Sequence, residues 1–311
     1  MKALILTDGK AGHENQSKAF ARALGCDFDV LPVRFRSRAA KALSYLLDHL
    51  GIHTMRLFSE APTPAGGYRL TIGTGSGTFY AAKALARRMG VPCGAVLYPR
   101  GYRIGTFDCI LAPAFDNPPA AANVIEIPVN LVAADDAFYA AGMDAFRERH
   151  PATGRPAAAV IVGGPNKCST MTPEWMREQL TAIFARHKSD GRNDEIWVTT
   201  SRRTPPAVED VVKSFPFDYK LIYSQDRFNP IPAFVSLAAH LYVTAESTGM
   251  LSEACSFGKA EVHVMDNLKP GPHKFRRFAE ACAARGAAKA DLAPQFSAAR
   301  RLLGLAPDAS R

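Results

Sequence analysis

The chain has 311 residues, of which 47% are hydrophobic and 22% charged, and it carries a formal net charge of +9. That length accommodates two domains with cores of their own, and that balance excludes a disordered chain. The six cysteines (Cys26, Cys93, Cys109, Cys168, Cys255 and Cys282) are scattered without CxxC or Cys/His metal spacing, so they read as reduced thiols and not as a disulfide framework.

Strand and helix are expected to alternate along the chain. KALILT (2–7) reads as a first strand; it is too short for the core of a signal peptide, and no apolar run approaches a membrane span. A cytoplasmic protein is expected, with peripheral attachment to the inner face of a membrane as the alternative. DGKAGHENQ follows as a polar loop, QSKAFARAL as a helix and DFDVLPV (27–33) as a second strand. RFRSRAAKALSYLLDHLGIHTMRLF (34–58) then sets Arg34, Arg36, Arg38 and Lys41 ahead of Leu43, Leu46, Leu47 and Leu50 at helical spacing. This pattern fits a helix packed on the core or an interfacial helix touching an anionic membrane.

YRLTIG (68–73), CGAVLY (93–98), DCILAP (108–113) and NVIEIP (123–128) read as further strands, with GTFYAAKALARRMG as a helix that ends at a glycine. DAFRERHPATGRP (144–156) is charged and carries two prolines and a glycine, so it is the expected linker. After it the scheme restarts with AAAVIVGG (157–164) and a helix over TPEWMREQLTAIFARH, for which Thr172 is the expected N-cap and Pro173 the first helical residue. EIWVTTS, YKLIYS, HLYVTA and AEVHVM supply the remaining strands. The fold class is therefore α/β: two Rossmann-type parallel-sheet domains facing a cleft, one over residues 1–150 and one over 151–311.

A basic excess favours an anionic partner, whether a phosphate ligand, nucleic acid or an anionic membrane. Nucleic acid is set aside because aromatic residues do not interleave with the basic ones in any recognisable module. Phosphate suits the helix N-termini that follow parallel strands, where unpaired N–H groups and the positive dipole end meet. Three loops of the second half qualify: Gly163, Gly164, Pro165 and Asn166; Thr199, Thr200, Ser201, Arg202 and Arg203; and Ser247, Thr248 and Gly249. Together they describe an anion cradle. Glu253, two turns into an apolar helix, then suits the hydroxyls of a ribose; a solvated or capping glutamate is the alternative.

Known loop motifs fail on TGTGSGT. A GxSxG elbow lacks its first glycine, because residue 74 is threonine, and no GK[ST] follows for a Walker A loop. Gly75, Ser76 and Gly77 read as an acceptor-side or phosphate-side loop, or as a tight turn.

The motifs DGKAGHENQ, GGPNK, TTSRRTP and VTAESTGMLSEACSFGK, in that order, resemble the "elongated mitochondria" family, which groups bacterial predicted nucleoside-diphosphate-sugar proteins with a plant mitochondrial-fission factor. STGMLSEACSFGK is also similar to the nucleotide-sugar signature of GT-B glycosyltransferases. The resemblance implies a GT-B-like fold whose first domain takes the acceptor and whose second binds the nucleotide sugar. It implies Glu253 on the ribose and Ser247 and Thr248 toward the diphosphate. With no bound metal and no cofactor, Arg202 and Arg203 would stabilise the leaving diphosphate. His13 would be the general base, oriented by Asp8 or Asn15, with Gly12, Asn15, Gln16, Gly75 and Ser76 on the acceptor side. A structural histidine is the alternative reading of His13. One departure from the GT-B transferase pattern stands out: Ala245-Glu246 occupies the place of the glycine pair that lets a diphosphate approach closely. The implied activity is sugar transfer from a nucleoside-diphosphate sugar to a hydroxyl acceptor, lipid-linked in one version. Sugar-nucleotide epimerisation and a non-catalytic adaptor are the rivals.

Overall fold

Short apolar runs bounded by glycine, proline or polar turns become the strands of two parallel sheets in the computed structural model, which describes residues 1–60, 66–189 and 191–306. The first sheet contains β1 (Lys2–Thr7) and β2 (Asp27–Pro32). After a two-stranded antiparallel ribbon of β3 (Arg34–Phe35) and β4 (Phe58–Glu60), it continues with β5 (Leu70–Thr74), β6 (Cys93–Val96), β7 (Cys109–Pro113) and β8 (Val124–Ile127). Its order is β2-β1-β5-β6-β7-β8, every pair parallel. Helices α1 (Ala11–Ala23), α2 (Arg38–His49) and α3 (Phe79–Met89) connect these strands. Leu70–Thr74 and Cys109–Pro113 are buried along their whole length, as strands covered on both faces must be.

The second sheet follows α4 (Asp136–Arg149). Its strands are β9 (Ala157–Ile161), β10 (Glu195–Thr199), β11 (Tyr219–Leu221), β12 (His240–Thr244) and β13 (Glu261–Met265), again all parallel, in the order β11-β10-β9-β12-β13. The connecting helices are α5 (Pro173–Lys188), α6 (Pro206–Ser214), α7 (Ile231–Leu237), α8 (Thr248–Ser256) and α9 (Lys274–Arg285). The expected cap is present: the Thr172 hydroxyl accepts from the Trp175 N–H at 3.2 Å, with Pro173 in the first turn. A last helix, α10 (Ala293–Leu302), returns to the first sheet.

The chain forms two compact units, Met1–Ala133 with the segment from Asp291 onward, and Ala134–Ala290. The division differs from the expected 1–150 and 151–311, for a physical reason at each end. Residues 144–149 of the expected linker are the last turns of α4, whose Phe146 is fully buried against Trp197, Tyr219 and Phe234 of the second unit. At the other end, Ala299 and Phe296 of α10 pack with Ile127 and Leu111 of the first. Residues 307–311 of the expected second domain lie outside the described residues.

Two local expectations change. α1 begins at Ala11, so the expected polar loop 8–16 is a loop only to Lys10, and His13 sits in the helix's first turn. α2 is turned inside out relative to its apolar stripe. Ser44 and Asp48 are its buried residues, and Leu47 packs in part on the core, whereas Leu43, Leu46 and Leu50 are 42%, 58% and 63% exposed. An ion group explains the inversion. The Asp48 carboxylate accepts from Lys83 Nζ at 2.8 Å, His53 Nε2 at 2.9 Å and the Arg103 N–H at 2.7 Å, all within the first unit. Burial opposes ionisation, yet these donors hold its pKa at about 2. Among the described residues no helix is long and apolar enough to cross a membrane.

Candidate functional site

Each sheet has a point where the chain reverses its direction of winding, between β1 and β5 in the first and between β9 and β12 in the second. Loops at the carboxyl ends of strands flanking such a point diverge and leave a crevice for ligands.

At the first switch point, the loop after β1 carries Asp8 and the first turn of α1 carries His13. His13 Nδ1 lies 3.1 and 3.2 Å from the two Asp8 oxygens, and Lys10 Nζ lies 3.0 Å from Oδ2. Burial works to raise the Asp8 pKa, but Lys10 and His13 outweigh it and hold the carboxyl below its ordinary value. An ionised Asp8 accepts a hydrogen bond from Nδ1–H, which leaves the lone pair on Nε2. The loop after β5 makes room for this pair. Gly75 has φ +82°, and a Cβ there would clash with the His13 ring; a Cβ on Gly77 would lie 2.8 Å from that of Asp8. The glycines at 75 and 77 are therefore the seat of the dyad.

Lys41 of α2 donates to Ser76 Oγ at 2.8 Å, and Ser17 and Thr74 share a 2.6 Å hydrogen bond beneath the loop. Gln16 donates to the Gly12 carbonyl at 3.4 Å, and its Oε1 is buried without a partner. Gly12 and Asn15 are exposed on the helix surface. Of Asp8 and Asn15, it is Asp8 that contacts the His13 ring.

At the second switch point the glycine pair is used differently. Gly163 donates its N–H to Thr244 Oγ1 at 2.9 Å, and Gly164 donates to Glu246 Oε1 at 2.6 Å. Glu246 is 3% exposed; its other oxygen accepts from Asn267 Nδ2 at 2.8 Å. A Cβ on Gly163 would overlap the Glu246 carboxylate, and one on Gly164 the Arg203 backbone. The pair exists to let three loops approach, and its N–H groups are taken up by protein acceptors. Asn166 serves the same loop, its Oδ1 accepting from the Cys168 N–H at 2.8 Å. Thr204 links loops too, accepting from the Ser201 N–H at 2.8 Å and donating to the Gly163 carbonyl at 2.6 Å.

Beside this knot lies a cavity of about 320 Å³ lined by Thr199, Thr200, Ser201, Arg202, Arg203, Tyr223, Arg227, Phe228, Asn229, Pro230, Ile231 and Met250. Arg202, Arg203 and Arg227 are exposed, and Phe228 and Tyr223 are half-buried. Ser247 is the residue before α8, and Thr248 and Gly249 begin the helix, so their N–H groups have no partner within it. One turn beyond Met250, Glu253 is half-buried and accepts from the Tyr139 hydroxyl at 3.1 Å. Burial raises its pKa, and Tyr139 offsets this only in part. A larger cavity, about 550 Å³, lies in the first unit around His53, Lys83, Arg87, Cys93 and Asp108, the last two at the amino ends of β6 and β7 and away from the carboxyl-end loops.

Glu246, Lys41, Tyr139, Arg227 and Phe228 escape a sequence reading. Glu246 had a signal, since a carboxylate stood where the resembled pattern has glycine. The others come from helices or loops without a motif.

A family model described as mitochondrial fission ELM1 matches residues 11–300. The chain belongs to that family. No curated protein matches it. Among solved structures it is similar to S. aureus MnaA in complex with UDP, at 12% identity and TM-score 0.52, over 98% of this chain and 97% of that one. It is also similar to UDP-GlcNAc 2-epimerase from Methanocaldococcus jannaschii, at 12% identity and TM-score 0.50, over 97% and 98%. E. coli ADP-heptose LPS heptosyltransferase II aligns at 11% identity and TM-score 0.43, over 91% and 98%. The ELM1-family chain thus has the GT-B-like fold, two Rossmann-type parallel-sheet units, that the resemblance implied.

Proposed function

We propose that the second unit binds a nucleoside-diphosphate sugar and that the protein transfers the sugar to a hydroxyl acceptor, with His13 as general base. The carrying observation is the His13–Asp8 pair on its glycine seat, since an imidazole whose Nδ1 is held by a carboxylate is a base built for proton abstraction. The acceptor hydroxyl gives its proton to His13 Nε2 while its oxygen bonds the anomeric carbon. The bond from that carbon to the diphosphate oxygen breaks, and its electron pair leaves with the nucleoside diphosphate. Arg202, Arg203 and Arg227 line the cavity that receives this charge, supported by the open N-terminus of α8. Glu253 accepts from the ribose hydroxyls. The glycine pair holds the loops and leaves phosphate binding to the arginines. UDP in the MnaA structure supports a nucleotide ligand for this fold.

The test is calorimetry with nucleoside diphosphates and their sugars. Replacing Arg202 and Arg203 together by alanine is expected to weaken binding by about 3 kcal/mol, at roughly 1.5 kcal/mol for each charged hydrogen bond lost. Unchanged affinity in that variant removes the nucleotide assignment. The UDP-GlcNAc 2-epimerase among the similar folds favours epimerisation as the second reading. Product analysis separates the two, since transfer releases nucleoside diphosphate and epimerisation returns an isomeric sugar nucleotide. A tight protein partner with neither product would instead favour an adaptor.

The exposed Leu43, Leu46 and Leu50 of α2, with Ile52 49% exposed and Arg34, Arg36 and Arg38 exposed nearby, favour an anionic membrane surface as the place where a lipid-linked acceptor is met. Sedimentation with vesicles containing phosphatidylglycerol is expected to capture the wild type. Leu46→Glu with Leu50→Glu is expected to release it, and equal capture of both would remove this contact.

A further inference from the structure

At the amino-terminal ends of β12 and β13, on the side of the sheet opposite the loops described above, three side chains with metal-binding chemistry meet. Strand pairing brings them together: His240 lies opposite Glu261, and Tyr242 opposite His263. Alternate residues of a strand share a face, so His240, Glu261 and His263 project to the same side of adjacent strands. His240 Nδ1 is 3.1 Å from His263 Nε2 and 3.3 Å from Glu261 Oε2, which is 3.7 Å from His263 Nε2.

These three separations place the donor atoms on a circle of radius about 2.0 Å, the length of a bond from zinc to imidazole nitrogen or carboxylate oxygen. The separations therefore match the donor spacing around a tetrahedral ion lying just off the plane of the three atoms. We propose that His240, Glu261 and His263 form a site for a divalent transition metal, with the fourth position open to water.

The surroundings are those of a fixed ligand set. His187, wholly buried on α5, has its Nδ1 2.8 Å from Asp194 and its Nε2 2.9 Å from the Tyr242 hydroxyl. Tyr242 in turn stacks on His263, with ring centroids 4.6 Å apart and planes 20° apart. Both His187 nitrogens are engaged, so it supports the ligands and does not join them. Burial lowers the pKa of both His240 and His263, which keeps their nitrogens available to a cation. The Glu261 side chain is 44% exposed, which gives an ion its entry.

Two imidazoles and one carboxylate suit Zn²⁺, Co²⁺ or Ni²⁺ better than Mg²⁺ or Ca²⁺. Sequence spacing hides the set, because the two histidines stand 23 positions apart and only the pairing of parallel strands joins them. Four residue steps along a strand place it roughly 13 Å from the carboxyl-end loops. Its work is thus to clamp β13, an edge strand, to β12 and not to touch the sugar nucleotide.

The test uses the full chain, stripped with a chelator, in a Cys168→Ser background so that the half-buried thiol does not compete. Titration with Co²⁺ is expected to give one equivalent of tetrahedral d–d absorption, displaced by Zn²⁺, and Zn²⁺ is expected to raise the melting temperature. His263→Ala is expected to weaken Zn²⁺ binding by about 100-fold, and Glu261→Gln by about 10-fold. Glu261 is exposed enough to be changed without unfolding the chain, so it tests the site even if His263→Ala does not fold. An absent Co²⁺ band, or Zn²⁺ affinity unchanged in Glu261→Gln, overturns the site and leaves a hydrogen bond between two neutral histidines. Nucleotide affinity is expected to be the same with and without Zn²⁺, so failure here is separable from failure of the proposed function.

Discussion

The two switch points use their glycines in opposite ways. In the first unit, Gly75 and Gly77 vacate space that the side chains of His13 and Asp8 fill, and the result is a polar pair with one nitrogen left over for chemistry. In the second unit, Gly163 and Gly164 vacate space that the Glu246 carboxylate and the Arg203 backbone fill, and the result is a closed knot of loops. A glycine at the end of a parallel strand is thus evidence that something approaches closely, without saying what. A phosphate, a side chain and another loop all demand the same missing Cβ. The first pair of glycines seats a histidine–carboxylate pair; the second makes a frame of loops beside a cavity lined by arginines.

His13→Gln breaks the comparison most directly. Turnover is expected to fall by about two to four orders of magnitude while nucleotide affinity stays within error, because the proposed base and the proposed nucleotide residues belong to different units. Gly75→Ala is expected to act in the same direction by about one to two orders, since its Cβ displaces the imidazole without removing it. Release of nucleoside diphosphate from the donor is the readout. Loss of nucleotide affinity in either variant would mean that the first switch point also holds the donor.

Glu246→Ala tests the frame. It leaves the Gly164 N–H and the Asn267 amide buried without their acceptor, at about 1–3 kcal/mol for each donor. Both tryptophans, Trp175 and Trp197, lie in the second unit, so urea unfolding followed by their fluorescence reads the unit that is changed. Unchanged stability there would mean that the carboxylate is a ligand group kept in reserve and not a tie between loops.

What a sequence shows of such a molecule follows from which forces are local. The strands were legible because residues such as Leu70–Thr74 and Ala157–Ile161 are buried on both faces and must be apolar throughout. The Thr172 cap was legible for the same reason, being settled within four residues. Of the two readings of α2, the core-packed one fails because the helix is oriented by Asp48 reaching Lys83, 35 positions away, and not by its leucines. The His13–Asp8 pair was half legible: both residues stood in one motif, but their seat at Gly75 and Gly77 came from another strand. The division between units was hidden because α4 carries a charged surface at its end, while two buried aromatics, Tyr139 and Phe146, commit it to the second unit.

The smallest effect concerns pH, and it separates a ribose ligand from a structural glutamate at position 253. Burial raises the Glu253 pKa above its ordinary value, so in the free protein this carboxyl takes up its proton at a higher pH than it does in the unfolded chain. Its contribution to stability is therefore present in full at low pH and is lost as pH rises through the raised value. Nucleotide affinity must respond in the opposite sense. A ribose hydroxyl needs the ionised form as acceptor, so acidification through the raised value protonates Glu253 and weakens binding by up to about tenfold per pH unit. The diphosphate also gains a proton on acidification, at about pH 6, so the contribution of Glu253 is the difference between wild type and Glu253→Gln with the same ligand. Calorimetry from about pH 7 down to about pH 4.5 is expected to show the wild type losing affinity faster than the variant while gaining stability relative to it. Parallel affinity curves would leave Tyr139 as the sole partner of Glu253 and return the residue to the role of a helix-packing group.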